Sequence, residues 1–346
     1  MLASLTLAAL SLVCQVGRAS ASELRAELGA LALREAPRAE LEAGLQRIGR
    51  DGALADVELA VLLAARIDEP LLDDQTPRGA QLLRAAAARL FERHALKLPR
   101  LGALLGERAN PWRAALLAAV GDSRTPEAVA RLGEWLAQGG EDTRETVAAL
   151  AHAARGMHGP FDERATRAVR SLLDRPGRAG HREAVLCVGW LEDEQAIDAL
   201  LDLLRGSHAG LAKDAQWSLE RITGARLGSQ APAWRRWLSE EREWRLEVLP
   251  VALDELLESD AAVQARALNE IARHRFPRHE IAERLSNRLA ALDGDIFVCA
   301  CAALGDMGSA AALEALRAVS AQERSEGERH SATAALARVG EAPSRR

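Results

Sequence analysis

Residues 302–316 read AALGDMGSAAALEAL, in which an apolar segment ends at small residues and a polar turn, and a second apolar segment follows. The same kind of segment end recurs along the chain. The residue that follows each apolar end is, in order, Gly121, Gly156, Gly189, Gly224, Arg273, Gly305 and Gly340. The intervals between these reference positions are 35, 33, 35, 49, 32 and 35 residues. Because a nearly constant interval of this length is typical of stacked supersecondary units, the sequence predicts a repeat protein.

Each repeat is predicted to contain two short helices. After the break at Gly121, Thr125 is the expected N-cap and Pro126 the first residue of the next helix, where its missing N–H costs nothing. Apolar residues at helical spacing then mark the buried face of this second helix and of its counterparts. They are Val129, Leu132 and Leu136, then Ala165, Val169 and Leu172, then Ile197, Leu200, Leu201 and Leu204, then Ile281, Leu285 and Leu289, then Leu313, Leu316 and Val319. One helix pair cannot bury such a stripe alone, so neighbouring pairs are expected to stack.

The composition favours an all-α protein. Hydrophobic residues make up 48% of the 346 residues, but aromatic residues make up only 3% and Tyr is absent. The strand-forming runs of β-branched and aromatic residues are missing. The formal charge of −5 gives no electrostatic reason to expect a nucleic acid partner. Nearly all the positive charge is arginine, which indicates either a guanidinium-rich binding surface or the base composition of the gene. The second interpretation is favoured, because the arginines are scattered along the chain.

Residues 302–316 resemble the bacterial HEAT repeat, including the short variant named for phycobilisome lyases. Residues 334–340, which read AALARVG, resemble the first helix of one more such unit. The resemblance covers residues 111–340. It implies an all-α fold, namely an α-solenoid (a right-handed superhelix) of stacked HEAT-like helix pairs. It implies little about function, because that fold hosts many unrelated roles.

Six segments are expected along the chain. Residues 22–110 are helical in pattern, as in residues 54–67 and 81–94. Because they lack the regular reference positions, they are either degenerate leading repeats or a separate helical cap. The expected segments are a signal peptide at 1–21, this N-terminal helical region at 22–110, HEAT-like repeats at 111–224, a Trp-bearing insert or joint at 225–260, C-terminal HEAT-like repeats at 261–340 and a tail at 341–346.

The N-terminus predicts export. Residues 2–16 are free of charge and mostly apolar, and Ala19 and Ala21 frame a small-x-small cleavage site before Ser22. We therefore expect cleavage after Ala21 and a periplasmic protein. No segment has the length of about 20 apolar residues that a membrane span requires. The three remaining cysteines lie in apolar runs and are predicted to be buried, unreactive thiols; they are Cys187, Cys299 and Cys301.

Two groups of residues are candidate partner-binding sites. Trp234 and Trp237 lie on one helical face, with Arg235 and Arg236 beside them, and they are either an aromatic anchor for a partner or, as we favour, a cap on one stack of repeats. If they form a cap, the solenoid has a joint at residues 225–260.

The second candidate is the basic stretch at residues 273–279. Its arginines Arg273, Arg275 and Arg278 are able to bind an anion or an acidic peptide segment, although a solvated turn between helices is the favoured interpretation.

No pattern of catalytic, metal-binding or cofactor-binding residues is found in the sequence. The eight histidines show no ligand spacing, and neither a phosphate loop nor a Gly-x-Ser-x-Gly elbow occurs. The acidic run at residues 192–194 is interpreted as the start of a helix, which attracts negative charge. The expected function is an exported, non-catalytic scaffold that binds a protein or peptide through a repeat surface, without a cofactor. The alternatives are a lyase or isomerase acting on bilins, as the name of the repeat variant suggests, or a structural spacer.

Overall fold

The computed structural model describes residues 21–68, 78–93, 112–139, 142–206 and 208–341. In this part of the chain, the secondary structure consists of 17 α-helices and two short 3-10 helices, without a strand. The prediction of an all-α solenoid is confirmed, because each helix packs mainly on helices that are close to it in the chain. The chain divides into two compact units, Met1–Glu127 and Ala128–Arg346.

Five helices of the described residues lie in the first unit. They are α1 (Ala21–Leu33), α2 (Arg38–Asp51), α3 (Val57–Ile67), α4 (Arg78–Arg93) and α5 (Arg113–Asp122). A 3-10 turn at Leu54–Asp56 precedes α3, so the described residues of both segments that were predicted as helical in this region are helical. Helix α4 packs on α2, α3 and α5. Large side chains with no exposed surface fill the core between them, and these are Leu45, Ile48, Leu63, Leu83, Leu90 and Phe91.

Helix α6 begins in the first unit at Pro126, as predicted, and ends in the second. The second unit then alternates between two helix layers. One layer holds α7 (Thr143–Ala154), α9 (His181–Trp190), α11 (Ala209–Thr223), α13 (Ala261–Arg273), α15 (Gly294–Met307) and α17 (Glu326–Glu341). The other holds α6 (Pro126–Gln138), α8 (Glu163–Arg170), α10 (Ile197–Leu204), α12 (Ala231–Glu255), α14 (Arg278–Leu289) and α16 (Ala310–Ser320).

Stacking within the two layers differs at one place. Helices α10, α12, α14 and α16 pack successively on one another. In the other layer α7, α9 and α11 pack in succession, and so do α13, α15 and α17, but α11 and α13 are not in extensive contact. The 25-residue helix α12 lies at this interruption. The predicted Trp-bearing insert, residues 225–260, therefore lies inside the second unit.

Burial follows most of the predicted stripes, although Leu204 and Leu313 are only half-buried. The stripe residues of α6, α14 and the segment 165–172 are all buried, and so are Ile197, Leu200 and Leu201 of α10. Close packing also depends on small residues. A Cβ atom at Gly133 of α6 would overlap the Cα and Cβ atoms of Ala165 in α8, so only glycine allows these two backbones to approach so closely.

Arginine side chains join consecutive helix pairs. Arg144 donates to Glu183 at 2.7 Å, and Arg182 donates to Asp214 at 2.6 Å. These partners are 39 and 32 residues apart, close to the repeat interval. Arg324 instead donates to the carbonyl oxygens of Ala290 and Leu292 and so satisfies acceptors near the end of α14. Many of the scattered arginines therefore have a structural use between neighbouring repeats.

The same kind of pairing occurs in the first unit. Arg25 pairs with Asp56 at 2.6 Å, across 31 residues, and Arg84 pairs with Asp122, across 38 residues. These separations are close to the interval of the second unit, although the reference glycines are absent here.

Cys187 and Cys301 are buried, but the prediction that all three cysteines are buried is wrong for Cys299, which is exposed. Phe297 and Cys301 lie four residues apart on the face of α15 that packs in the core. Cys299 lies midway between them in sequence, and the helical rotation turns it to the opposite face.

Candidate functional site: a cluster where the turns of the second unit meet

The turns inside successive helix pairs come together in the second unit. The carbonyl oxygen of Gly159 accepts a hydrogen bond from the N–H of Ala310 at 3.2 Å. His158 donates from Nε2 to the carbonyl oxygen of Val339 at 2.7 Å, across 181 residues of the chain. The turn that follows α7 thus contacts the helices at the other end of this unit. Six residues around these turns form what we name the turn cluster: Arg155, Trp190, Glu192, Arg221, Arg278 and His279.

A buried carboxylate lies in the turn cluster. Glu192 follows α9 with φ 53°, a left-handed conformation that is uncommon for a residue other than glycine, and its side chain is only 7% exposed. One carboxylate oxygen lies 3.0 Å from the guanidinium of Arg278, and the other accepts from His279 Nε2 at 3.0 Å. Arg221 is 3.9 Å away. Glu192 therefore joins three helix pairs.

The cations around Glu192 keep it ionised. Burial by itself would raise the pKa of this carboxyl, because the charged form loses hydration. The hydrogen bond from His279 and the charges of Arg278, His279 and Arg221 act in the opposite direction, and together they hold the pKa of Glu192 below its usual value. The carboxylate is thus already neutralised by residues of the chain itself.

His279 also contacts a serine, but this arrangement is structural. The Oγ atom of Ser309 lies 3.3 Å from His279 Nδ1. Ser309 has no exposed surface, and its hydroxyl accepts a hydrogen bond from the N–H of Ala311 as the N-cap of α16. Because solvent does not reach this hydroxyl, Ser309, His279 and Glu192 are not arranged as an accessible nucleophile with its base.

A partly exposed tryptophan borders the cluster on its solvent side. Trp190 ends α9, and its ring centre lies 5.1 Å from that of Trp217. The guanidinium carbon of Arg221 lies 4.2 Å from the centre of the Trp190 ring, and that of Arg155 lies 5.2 Å from it. Both distances are within the range of a cation–π interaction. Arg155 is exposed to solvent, whereas Arg221 is largely buried.

Cations exceed anions in the cluster. Burial lowers the pKa of Arg221; the carboxylate of Glu192 opposes this, while the positive charges of Arg278 and Arg155 lower the pKa further. The Nε–H group of Arg221 is buried and has no acceptor in the described part of the protein. Glu194, just outside the cluster, is half-buried, and its pKa is raised because burial disfavours the charged form. This surface is therefore suited to a group that brings negative charge.

The tryptophans that were singled out in the sequence lie elsewhere. Trp234 has no exposed surface, and its Nε1 donates to the carbonyl oxygen of Gly228 at 2.7 Å. It is a core side chain, so of the two alternatives given for this pair, the anchor has no exposed surface at Trp234 through which to bind a partner. Trp237 is half-buried, with ring centres 6.2 Å from Trp234 and 5.8 Å from Phe276. Trp237 thus packs against Phe276, in the turn that precedes α14.

Four of the five predicted arginines are exposed outside the turn cluster, and the fifth lies in it. Arg235 is exposed and lies 3.5 Å from Asp202, while Arg236 is exposed beside it. Arg273 is exposed and pairs with Glu270 at 3.5 Å. Arg275 is also exposed, and among the predicted arginines it is Arg278 that the structure brings into the turn cluster.

His274 belongs to a separate arrangement. Its ring is stacked on that of Trp244, with the centres 3.6 Å apart, and its Nδ1 lies 3.0 Å from a carboxylate oxygen of Glu241. Trp244 Nε1 in turn donates to Glu270 at 3.1 Å. These contacts fix the end of α13 on α12, so the basic stretch at residues 273–279 is not one continuous cationic surface.

Sequence reasoning missed four members of the cluster, namely Arg155, Trp190, Glu192 and Arg221. A signal was present for three of them. Arg155, Trp190 and Arg221 lie within three residues of the reference glycines Gly156, Gly189 and Gly224. Residues near the corresponding helix ends of successive repeats lie on the same side of a solenoid, so the repeat interval itself points to this cluster.

The described residues offer neither a metal site nor a membrane-spanning helix. In these parts of the chain no group of three or more His, Cys, Asp or Glu side chains is arranged to hold a metal ion. None of the described helices, including the long α12, combines the length and the apolar character needed to cross a membrane.

Comparisons with known proteins identify no family. No protein-family model matches the chain, and no curated protein matches it. Among solved structures, an engineered protein whose crystal structure was determined by the Northeast Structural Genomics Consortium is similar over 93% of this chain and 92% of its own, with 17% sequence identity and a TM-score of 0.33. A similarity at this TM-score shows neither a shared fold nor a shared function. The helix packing described above defines the fold.

Proposed function

We propose that this protein is an exported, non-catalytic scaffold of HEAT type, which binds a protein or peptide partner through the surface around Trp190. One observation carries the proposal: two guanidinium groups lie over a partly exposed indole ring at the place where the turns of several helix pairs meet. Tryptophan and arginine are the residues that most often dominate the binding energy of protein interfaces. A rigid stack of helices holds both in place before a partner arrives, which lowers the entropic cost of binding.

Support for export comes from the sequence. Residues 1–20, which include most of the predicted signal peptide, lie outside the described residues. N-terminal sequencing of the protein purified from cells tests this part of the proposal: a mature terminus at Ser22 supports export, and an intact Met1 in the cytosolic fraction contradicts it.

Capture of a partner tests the binding function. The full chain, tagged at its C-terminus, is incubated with an envelope extract, in parallel with the variants Trp190→Ala and Trp237→Ala. Circular dichroism and the melting temperature establish that each variant is folded. We expect a partner that the unchanged protein and Trp237→Ala retain and that Trp190→Ala loses. A partner retained equally by all three proteins, or lost only with Trp237→Ala, contradicts the assignment to this surface, and recovery of no partner favours the spacer function.

A further inference from the structure

We infer that the surface around Trp190 recognises carboxylate groups, and that its ligand is an acidic segment of a polypeptide held by Arg155 and Arg221. This inference rests on the proposed binding function and specifies the chemistry of the partner. It is carried by the juxtaposition of an exposed guanidinium, a second guanidinium with a buried and unpaired N–H, and one indole ring.

Among the described residues, Arg155 has no carboxylate close enough to neutralise its charge. No carboxylate of the described residues forms an ion pair with Arg155. Glu192, the buried carboxylate of the cluster, already has Arg278 and His279 at 3.0 Å each, and Arg221 lies farther from it, at 3.9 Å. The guanidinium groups of Arg155 and Arg221 thus lie over the same Trp190 ring, and the carboxylates around them do not balance both positive charges. An anionic ligand would relieve this repulsion between the two guanidinium groups.

The chemistry of the two guanidinium groups and the indole ring suits a carboxylate. Guanidinium groups bind carboxylates through two parallel hydrogen bonds, which adds geometric selectivity to the charge. The exposed part of the Trp190 ring is available to the methylene groups of a glutamate or aspartate side chain. An acidic peptide therefore uses both the cationic and the apolar parts of the surface.

A carboxylate also fits better than a more highly charged anion. Glu194 lies next to the cluster, where it interacts with His279 and Arg278, and Glu280 lies close to Glu194. These acidic groups limit the negative charge that the surface accepts. A nucleic acid backbone would need a broad basic surface to displace its counterions, and the chain carries a net charge of −5. Singly charged carboxylates thus match the local balance of charge.

Isothermal titration calorimetry of the full chain tests this inference directly. The probe is a capped peptide in which pairs of glutamates alternate with alanine, with its C-terminus amidated. Its matched controls are the same peptide with glutamine for glutamate, a neutral peptide with a free C-terminal carboxylate, and a neutral peptide that carries one phosphoserine. We expect binding of the glutamate peptide, no binding of the glutamine peptide, and affinity that falls as salt screens the exposed charges.

Variants connect the affinity to the two arginines. The side chain of Arg155 is exposed, so Arg155→Gln leaves the core unchanged. The melting temperature of Arg221→Gln establishes that this variant is folded. Each change removes a charge-assisted hydrogen bond, so we expect the dissociation constant to rise about tenfold. Arg175→Gln is the control, because Arg175 is an exposed arginine in the turn before α9, whereas Trp190 ends that helix. We expect Arg175→Gln to bind the glutamate peptide with the same affinity as the unchanged protein.

Three results would overturn the inference: no binding of the glutamate peptide, equal binding of the glutamine peptide, or equal binding by Arg155→Gln. Tighter binding of the phosphoserine peptide would replace the carboxylate by a phosphate group, and tighter binding of the peptide with a free terminus would replace the acidic side chains by a chain end. A partner captured through Trp190 that is indifferent to these peptides would leave the proposed function intact and remove only its acidic specificity.

Discussion

The guanidinium carbon of Arg221 lies 4.2 Å from the centre of the Trp190 ring, although the two residues belong to consecutive helix pairs. The contact is possible because each residue occupies the end of a helix in the same layer, α11 and α9, and these helices pack side by side. Arg155, from the turn after α7, extends the row by one more pair. The candidate site is thus a product of the repeat, since each helix pair places one side chain at its edge.

The close approach of α6 and α8 predicts a large effect for one methyl group. Gly133→Ala would force its Cβ atom into Ala165, and we expect a loss of about 1–3 kcal/mol in the free energy of unfolding. Gly210→Ala is the matched control, because nothing lies within 4 Å of a Cβ atom there. That change is expected to stabilise the protein by about 0.5–1 kcal/mol. Urea unfolding measures both, and equal effects of the two changes would show that the helices do not approach as described.

The burial of Trp234 predicts a structural rather than a binding role. Trp234→Ala is expected to cost about 3–5 kcal/mol of stability, because a fully buried large side chain is lost. Trp234→Phe keeps most of the volume but leaves the carbonyl of Gly228 without its donor, so we expect a loss of about 1–3 kcal/mol. Trp237→Ala, at a half-buried position, is expected to cost less than Trp234→Ala. Thermal and urea unfolding provide the ranking, and a larger cost for Trp237→Ala would contradict this packing.

The low pKa of Glu192 predicts a specific acid sensitivity. A carboxyl whose pKa is lower in the folded state than in the unfolded state stabilises the fold above its unfolded pKa, and this contribution is lost as the pH falls through the folded pKa. We expect Glu192→Gln to cost about 2 kcal/mol at neutral pH, because Arg278 and Arg221 then lose their counter-charge.

The difference between the two proteins is then expected to shrink below the ordinary glutamate pKa of 4.5, as Glu192 itself becomes protonated. Melting temperatures of both proteins across this range measure the effect. A difference that stays constant down to strongly acidic pH would show that Glu192 is not held ionised by its neighbours.

The three described cysteines are predicted to differ in reactivity. The thiolate is the reactive form, and burial raises the pKa of Cys301 to about 11 and that of Cys187 beyond the ordinary range. Cys299 is exposed on the opposite face of α15. Brief treatment with iodoacetamide, followed by peptide mapping, is expected to modify Cys299 first and the other two only after denaturant is added. Modification of Cys187 or Cys301 at the same rate in the native protein would contradict the buried core.

The sequence predicts the helices and the repeat because both depend on local periodicity. The stripe from Val129 to Leu136 and the proline at the start of α6 are decided by neighbouring residues, and burial agrees with them. The contacts between turns, in contrast, join residues that are far apart in the sequence. His279 and Glu192 are 87 residues apart, and their contact depends on the rotation between successive helix pairs added over several repeats. No pattern in the sequence gives that rotation.

The candidate site was recoverable only in part for a similar reason. Asp193 acts at a helix start, as the acidic run predicted, because its side chain accepts from the N–H of Gln195. Its neighbour Glu192 has the same charge but turns inward to Arg278 and His279. The choice between these two roles depends on the backbone conformation at Glu192, which composition does not reveal. Trp190 and Arg221, in contrast, were marked by their places next to the reference glycines.

Hydrogen–deuterium exchange of the full chain, with and without the captured partner, tests the central claim most directly. If the partner binds at the surface around Trp190, exchange is expected to slow in peptides that cover residues 155–158, 190–194 and 221–226. Peptides that cover residues 175–180, at the other end of α9, are expected to be unchanged. Slowed exchange around residues 234–237 or 175–180, with the turn cluster unchanged, would contradict the account and place the partner on a different surface of the solenoid.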